Sequence, residues 1–61
     1  MKYVLERNLW QRWIIVHPEK RHLAWSGSAW VPHTRGVGTI AQVSNFETRE
    51  AADAAARQQV R

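Results

Sequence analysis

The stretch that decides the fold is residues 46–57, Phe-Glu-Thr-Arg-Glu-Ala-Ala-Asp-Ala-Ala-Ala-Arg. Thr48 can accept a hydrogen bond from the free N–H groups of a first helical turn. Glu50 and Asp53 then lie toward the positive end of the helix dipole, and Arg57 lies toward its negative end. The pattern predicts one short helix that begins just after Thr48.

The predicted helix offers mainly small side chains for burial. Its apolar residues are Ala51, Ala52, Ala55, Ala56 and Val60. Alanine methyls fill little space, so such a helix must lie close against a surface that supplies bulkier groups. The residues before the helix have the composition of β-strands and are rich in tryptophan. We therefore expect a sheet of these residues to be the surface on which the helix packs.

The first half of the chain contains three segments with the composition of β-strands. Residues 3–7 form the first, and Asn8 after them is a natural turn residue. Residues 10–16 contain the run Trp-Ile-Ile-Val, which is apolar on both faces and indicates a central strand. Residues 17–20, with Pro18, predict a tight turn. Residues 21–25 are then expected to return antiparallel and complete a hairpin.

The segments that follow are shorter. Residues 26–28 predict a second turn, and residues 29–31 an edge segment before Pro32, which lacks a donor for the sheet ladder. Residues 33–38 indicate a loop and residues 39–44 the last strand. The predicted order is β-β-β-(β)-α. This is a single α+β domain over residues 1–61, with a three- to four-stranded antiparallel sheet and one C-terminal helix packed on one face.

Length and composition limit the class of protein. A domain of 61 residues buries only about 60% of its unfolded surface, so we expect marginal stability. The absence of cysteine excludes a disulfide framework, a thiolate zinc site and a cysteine nucleophile. No apolar run approaches the roughly 20 residues of a membrane span. These features predict a soluble cytoplasmic protein without a membrane partner.

The basic charge is unevenly distributed. Of the net +4, residues 1–35 carry six basic and two acidic side chains, whereas residues 36–61 carry three of each. An excess on the sheet portion favours an acidic partner, either nucleic acid or an anionic protein surface. A solvated basic surface without a partner is an equally good interpretation.

The sequence contains no recognisable catalytic or metal-binding set. His17, His22 and His33 are not spaced as paired ligands, and no thiolate or carboxylate cluster accompanies them. Glu47 and Glu50 stand at the helix start, where they suit capping better than acid–base catalysis. We therefore expect a non-enzymatic protein with no metal and no cofactor.

Tryptophan is the most informative residue type for binding. One small core can hardly enclose four indoles and also pair every indole N–H, so at least one should be partly exposed. Trp13 is expected in the core. Basic residues alternate with the other tryptophans, a pattern that suits a protein interface or a nucleic-acid surface. The predicted partner-binding residues are Trp10, Arg12, Lys20, Arg21, Trp25, Trp30 and Arg35.

Residues 43–55, Val-Ser-Asn-Phe-Glu-Thr-Arg-Glu-Ala-Ala-Asp-Ala-Ala, resemble the ending of many small phage and mobile-element proteins. Those proteins finish a sheet with Phe-x-Thr-x-x-Ala and continue into one alanine-rich helix. Stand-alone members, including anti-CRISPR proteins, commonly act by stoichiometric binding to a host complex. The resemblance implies an inhibitor of a bacterial host-defence or nucleic-acid-processing complex, acting in the host cytoplasm as a monomer or homodimer.

The chain is also similar to the arm-DNA-binding domain of tyrosine recombinases, a three-stranded sheet backed by one helix. Trp13, Lys20, Arg21 and the junction at residues 46–52 carry this similarity, which implies DNA binding through the sheet. The present sheet departs from it, since large apolar residues stand where a DNA-facing surface would carry more Arg, Lys and Asn. A third alternative is a homodimer that joins edge strands or exposed aromatic residues.

Overall fold

The computed structural model describes residues 2–8, 10–33 and 43–60. These residues form one antiparallel sheet and a single C-terminal helix, which confirms the predicted α+β class. The sheet has the four strands of the prediction and a short fifth strand that pairs with the second. The elements are β1 (Val4–Arg7), β2 (Trp13–Val16), β3 (Leu23–Trp25), β4 (Trp30–Pro32), β5 (Asn45–Phe46) and α1 (Arg49–Gln59).

β2 is the centre of the sheet, as its apolar run predicts. The strand order is β1-β2-β3-β4, and β1 pairs with the whole of β2, from Val4 opposite Val16 to Arg7 opposite Trp13. The other edge of β2 is shared, because β3 pairs with its end and β5 with its beginning. The Ser44 N–H donates to the Trp25 carbonyl at 2.9 Å, at the point along β2 where pairing with β3 ends and pairing with β5 begins.

Four of the predicted strands begin at a different residue in the structure, and turns account for two of these differences. β2 begins at Trp13 rather than Trp10, because Trp10 and Gln11 lie in a turn, closed by the Asn8 N–H bond to the Arg12 carbonyl, in which Gln11 has a φ of 60°. β3 begins at Leu23 rather than Arg21, because the Leu23 N–H donates back to the Lys20 carbonyl at 2.9 Å. β1 is shorter than predicted by one residue. β4 is shifted by one residue from the predicted segment 29–31, because Pro32 pairs with Leu23 and belongs to the strand.

The final strand also differs from the prediction. Residues 39–42, and residues 34–38 of the predicted loop, lie outside the described residues. Val43 and Ser44 are not in a strand, and pairing with β2 begins instead at Asn45 and Phe46. The second predicted turn is confirmed, since residues 26–28 lie in the connection from β3 to β4, which also includes Ala29, and Gly27 has a φ of 105° that suits glycine.

Each side of the sheet carries its own apolar cluster, as the period of two along a strand requires. One side, here called the helix face, packs against α1. Its apolar residues are Tyr3, Leu5, Ile15, Trp25, Trp30 and Phe46. The other side is centred on Ile14, Val16, Ala24 and Val43, with Val31 packed against them.

α1 begins and packs largely as its sequence predicts. Thr48 Oγ1 accepts the Ala51 N–H at 3.1 Å, which confirms the N-cap. Ala52 and Ala56 are fully buried and Val60 is nearly so. Ala51 is exposed, contrary to the prediction, because each helical residue turns by about 100° and Ala51 precedes the buried row by one position. Within the described ranges, no helix is long and apolar enough to cross a membrane.

Candidate partner-binding surface

The four tryptophans have very different surroundings. Trp10 is 49% exposed, Trp25 is 9% exposed, and Trp13 and Trp30 are half-buried. This confirms that at least one indole is partly exposed. Trp25 Nε1 donates to Gln59 Oε1 at 2.9 Å, and its ring meets Trp30 edge to face at 5.2 Å. Trp25 is therefore a core residue, and the structure does not present it to a partner as the sequence predicted.

Trp30 also serves mainly in packing. It lies opposite Trp25 across the β3–β4 pair, and its ring makes a second edge-to-face contact with His17 at 5.0 Å. Such pairs add to the stabilisation that burial alone provides. Trp30 thus has aromatic neighbours on two sides, which leaves it less available than Trp10.

Trp10 lies on a turn that is closed by hydrogen bonds. Asn8 Oδ1 accepts the Trp10 N–H at 2.9 Å and the Arg12 N–H at 3.0 Å. The Asn8 N–H donates to the Arg12 carbonyl at 2.9 Å, and the Gln11 N–H donates to the Asn8 carbonyl at 3.1 Å. One asparagine side chain therefore fixes the backbone on both sides of an exposed indole.

Arginine side chains flank this turn and are themselves held. Arg12 Nε donates to Asn45 Oδ1 at 3.0 Å, which ties the turn to β5. The Arg7 guanidinium carbon lies 5.9 Å from the centre of the Trp13 ring, within the range of a cation–π contact. We call Arg7, Trp10, Arg12 and Trp13 the turn surface.

A groove of about 430 Å³ runs along β1 beside the turn surface. It is lined by the four residues of β1 together with Asn8, Trp13 and Arg21. Arg21 forms an ion pair with Glu6, and the two side chains are 55% and 14% exposed. The predicted site residue Arg21 is therefore engaged within the protein at this groove.

The remaining predicted site residues do not join the turn surface. Lys20 is exposed, but it lies in the β2–β3 connection, at the opposite end of β2 from Trp10. Arg35 lies outside the described residues. Sequence reasoning placed Arg7 at no site, and it placed Trp13 in the core or, by the similarity to arm-DNA-binding domains, on a DNA-binding sheet, but not beside Arg7. Their position opposite each other in the β1–β2 pair is the signal that could have joined them, once the turn length is known.

The histidines take part in local hydrogen bonds. His17 Nδ1 accepts the Glu19 N–H at 3.1 Å and the Lys20 N–H at 3.0 Å. His33 Nε2 lies 3.1 Å from the Arg21 carbonyl oxygen. Among the described residues, no group of three or more histidine and acidic side chains is placed to hold a metal ion.

A polar contact joins the first strand segment to the helix. The Tyr3 hydroxyl donates to Asp53 Oδ1 at 2.6 Å, and Asp53 also pairs with Arg57 at 3.0 Å. The hydrogen bond to Asp53, with burial adding to it, raises the pKa of Tyr3 above its ordinary value. Sequence reasoning gave Asp53 only a role at the helix dipole and missed this contact.

No family model, curated protein or solved structure matches the chain. Its function must therefore be argued from the turn surface and the residues that hold it.

Proposed function

We propose that the protein is a non-enzymatic binding protein that contacts a macromolecular partner through the turn surface. The observation that supports this most strongly is Trp10, a 49% exposed indole on a turn that Asn8 closes with hydrogen bonds. Within the described ranges, Trp10 is the one large apolar side chain that is exposed.

An exposed tryptophan on an ordered turn suits an interface for two reasons. Tryptophan and arginine are the residue types that most often carry binding energy, since they bury large areas and still make polar contacts. Ordering a flexible loop on binding costs affinity. The turn surface avoids much of that cost, because the backbone around Trp10 is already hydrogen-bonded in the free protein.

The charge of the turn surface indicates an acidic partner. Arg7 and Arg12 stand on either side of Trp10 in the sequence, and the sheet portion of the chain carries the basic excess. Complementary charge speeds association and suppresses binding to basic surfaces. We propose an acidic protein surface as the target.

The biological role that we propose is stoichiometric inhibition of a bacterial host-defence or nucleic-acid-processing complex, in the cytoplasm of the host. The aromatic anchor, the basic excess and the resemblance of residues 43–55 to phage proteins support it. Occluding a site on a complex requires an interface and no catalytic group, which fits a chain of this size.

The experiment that tests this function has two steps. The tagged protein is first used to capture partners from bacterial lysate, with and without nuclease, and the captured proteins are identified by mass spectrometry. Affinity for a purified partner that survives nuclease is then measured for the parent, Trp10→Ala and Lys20→Ala. Lys20 is the matched control because it is exposed and basic but lies away from the turn.

We expect Trp10→Ala to weaken binding about 30-fold or more, which corresponds to about 2 kcal/mol, and Lys20→Ala to change it less than about threefold. Equal affinities for all three proteins would rule out the turn surface as the interface. Recovery of assorted nucleoid proteins only without nuclease would favour nucleic acid as the partner.

DNA binding is the second candidate, and the pair formed by Arg7 and Trp13 favours it, since phosphate contact and base stacking need such neighbours. Affinity for duplex and single-stranded DNA would then fall with salt, with a slope near −0.9 (duplex) or −0.7 (single strand) per phosphate neutralised. A salt-independent affinity would exclude this candidate.

A further inference from the structure

The two outer strands of the sheet present different edges. Among the described residues, β1 pairs only with β2, and β4 pairs only with β3. An open edge is a template for pairing with another chain unless the sequence protects it. The direction in which each backbone N–H points decides which edge is protected.

β4 is protected by its proline. The Ser26 N–H donates to the Ala29 carbonyl and the His33 N–H to the His22 carbonyl, both at 2.9 Å. Because hydrogen-bonded and non-hydrogen-bonded residue pairs alternate along an antiparallel ladder, these two bonds show which residues of β4 point their backbone groups toward β3. Pro32 and Trp30 then direct their backbone groups outward. Because proline has no N–H, this edge lacks one of its two outward donors.

β1 has no such protection. The Asn8 N–H donates to the Arg12 carbonyl, so Asn8 and Arg12 are a hydrogen-bonded pair, and every second pair from there along β1 and β2 is hydrogen-bonded as well. Val4 and Glu6 therefore direct their backbone groups toward β2, whereas Leu5 and Arg7 direct theirs outward. The outer edge of β1 carries donors and acceptors in the spacing that another strand requires.

We propose that this edge pairs antiparallel with β1 of a second copy of the chain, around a two-fold axis at Leu5. Leu5 then lies opposite Leu5 of the second copy, and the outward groups of Arg7 meet those of Tyr3. The paired edge gains about six backbone hydrogen bonds, two from each hydrogen-bonded residue pair. It joins the two sheets into one.

Charge and strand length select this register. Outward residues must oppose outward residues, so the axis can lie at Val4, Leu5 or Glu6. An axis at Glu6 would place two Glu6 side chains directly opposite each other, which is destabilising. An axis at Val4 would place every residue of β1 except Val4 opposite residues that precede the strand in the second copy. The axis at Leu5 keeps Val4, Leu5 and Glu6 opposite residues of β1 in the second copy. It moves the two Glu6 side chains from a direct to a diagonal relation, with Lys2 of the second copy on the other diagonal of Glu6.

The surroundings of β1 leave room for a second strand. α1 packs mainly against β2 and β5 and touches β1 least, so the helix leaves the outer edge open. The groove of about 430 Å³ lies along the same strand. A domain of 61 residues also gains from self-association, because its own core is small.

The paired sheet has a consequence for the proposed function, although it does not depend on it. Each β1 leads into its own turn surface, and the two-fold axis places the two turn surfaces at opposite ends of the shared ladder. A dimer would thus contact a repeated or symmetric partner at two points, which raises its overall affinity.

Sedimentation equilibrium tests the self-association directly. The parent protein, Arg7→Pro and Arg7→Ala are compared over about 1 μM to about 1 mM. Both variants lose the same side chain, but only the proline removes the outward N–H. Because that N–H takes no part in the β1–β2 pair, circular dichroism should show both variants folded.

We expect Arg7→Pro to raise the dissociation constant of the dimer at least about tenfold relative to Arg7→Ala. A parent protein that stays monomeric over the whole range, or equal constants for the two variants, would overturn the proposal.

Cysteine trapping tests the register without relying on a proline. The chain contains no cysteine, so Val4→Cys, Leu5→Cys and Glu6→Cys each introduce a single thiol. Residues directly opposite at the axis have Cα atoms about 5.5 Å apart, within the range of a disulfide. We expect mild oxidation to link Leu5→Cys alone efficiently. Equal linking at all three positions, or none at Leu5, would overturn the register.

Discussion

The helix face and the turn surface use tryptophan in opposite ways. On the helix face, Trp25 is 9% exposed and its indole N–H is bonded to Gln59. At the turn surface, Trp10 is 49% exposed, and its hydrogen bond to Asn8 goes through the backbone. The bond to Gln59 satisfies the indole N–H that burial of Trp25 would otherwise leave unpaired, whereas the bond to Asn8 orders the backbone and leaves the ring of Trp10 accessible to a partner.

The largest expected effect separates these two tryptophans. Trp25→Ala should lower the free energy of unfolding by about 3–5 kcal/mol, because it leaves a cavity beneath α1. That is comparable to the whole stability of a small domain. Trp10→Ala should change it by no more than about 0.5 kcal/mol. Urea unfolding followed by circular dichroism measures both, and similar losses would contradict the assignment of Trp25 to the core and Trp10 to the surface.

A second prediction concerns the closeness of the helix to its face of the sheet. Ala56 is fully buried, so Ala56→Leu must push α1 outward and should cost about 1–3 kcal/mol of unfolding free energy. Ala54 lies on the same helix but is exposed. Ala54→Leu is the matched control, since it makes the same chemical change and should alter stability by less than about 0.5 kcal/mol. If both variants unfold at the same urea concentration, the close packing of Ala56 against the sheet is contradicted.

A third, smaller effect tests how Trp10 is held. Asn8→Ala removes the acceptor for two backbone N–H groups and should cost about 1 kcal/mol, whereas Asn8→Asp keeps an acceptor oxygen and should cost less. Amide exchange at Trp10 and Arg12 should speed up in Asn8→Ala. Unchanged exchange would mean that the turn is ordered by other contacts and that Asn8 does not prepare Trp10 for binding.

Local signals predicted the parts of the fold that depend on neighbouring residues. The Thr48 cap and the apolar run of β2 each follow from a few adjacent side chains, and the structure confirms both. The turn that shortens β2 was missed because it requires Gln11 at a positive φ, which glutamine seldom adopts. The strand boundary moved by three residues as a result.

The candidate site was harder to predict for a physical reason. Trp10 and Trp25 both have basic residues nearby in the sequence, so composition alone cannot tell which one is exposed. The outcome depends on α1, which brings Gln59 to Trp25 from 34 positions away. The contact between Tyr3 and Asp53 spans 50 positions and likewise has no local signal.

The smallest effect that we predict lies at this contact, at the margin of the helix face. The Tyr3 hydroxyl must keep its proton to donate to Asp53, so folding raises its pKa above the ordinary value. The stabilisation is therefore complete at pH values below the ordinary pKa of about 10 and is lost as the pH rises through the raised pKa. The unfolding free energy of the parent should exceed that of Tyr3→Phe at pH 7 to 9, and the difference should shrink as the pH rises through the raised pKa of Tyr3.

Tyr3 is the only tyrosine of the chain, so its titration can be followed by tyrosinate absorbance while circular dichroism confirms that the protein stays folded. Asp53→Asn should bring the pKa of Tyr3 back toward its ordinary value, because it removes both the carboxylate acceptor and its negative charge. Equal unfolding free energies for the parent and Tyr3→Phe at pH 7 would show that the ring stabilises the protein by packing alone and that the hydrogen bond to Asp53 contributes nothing.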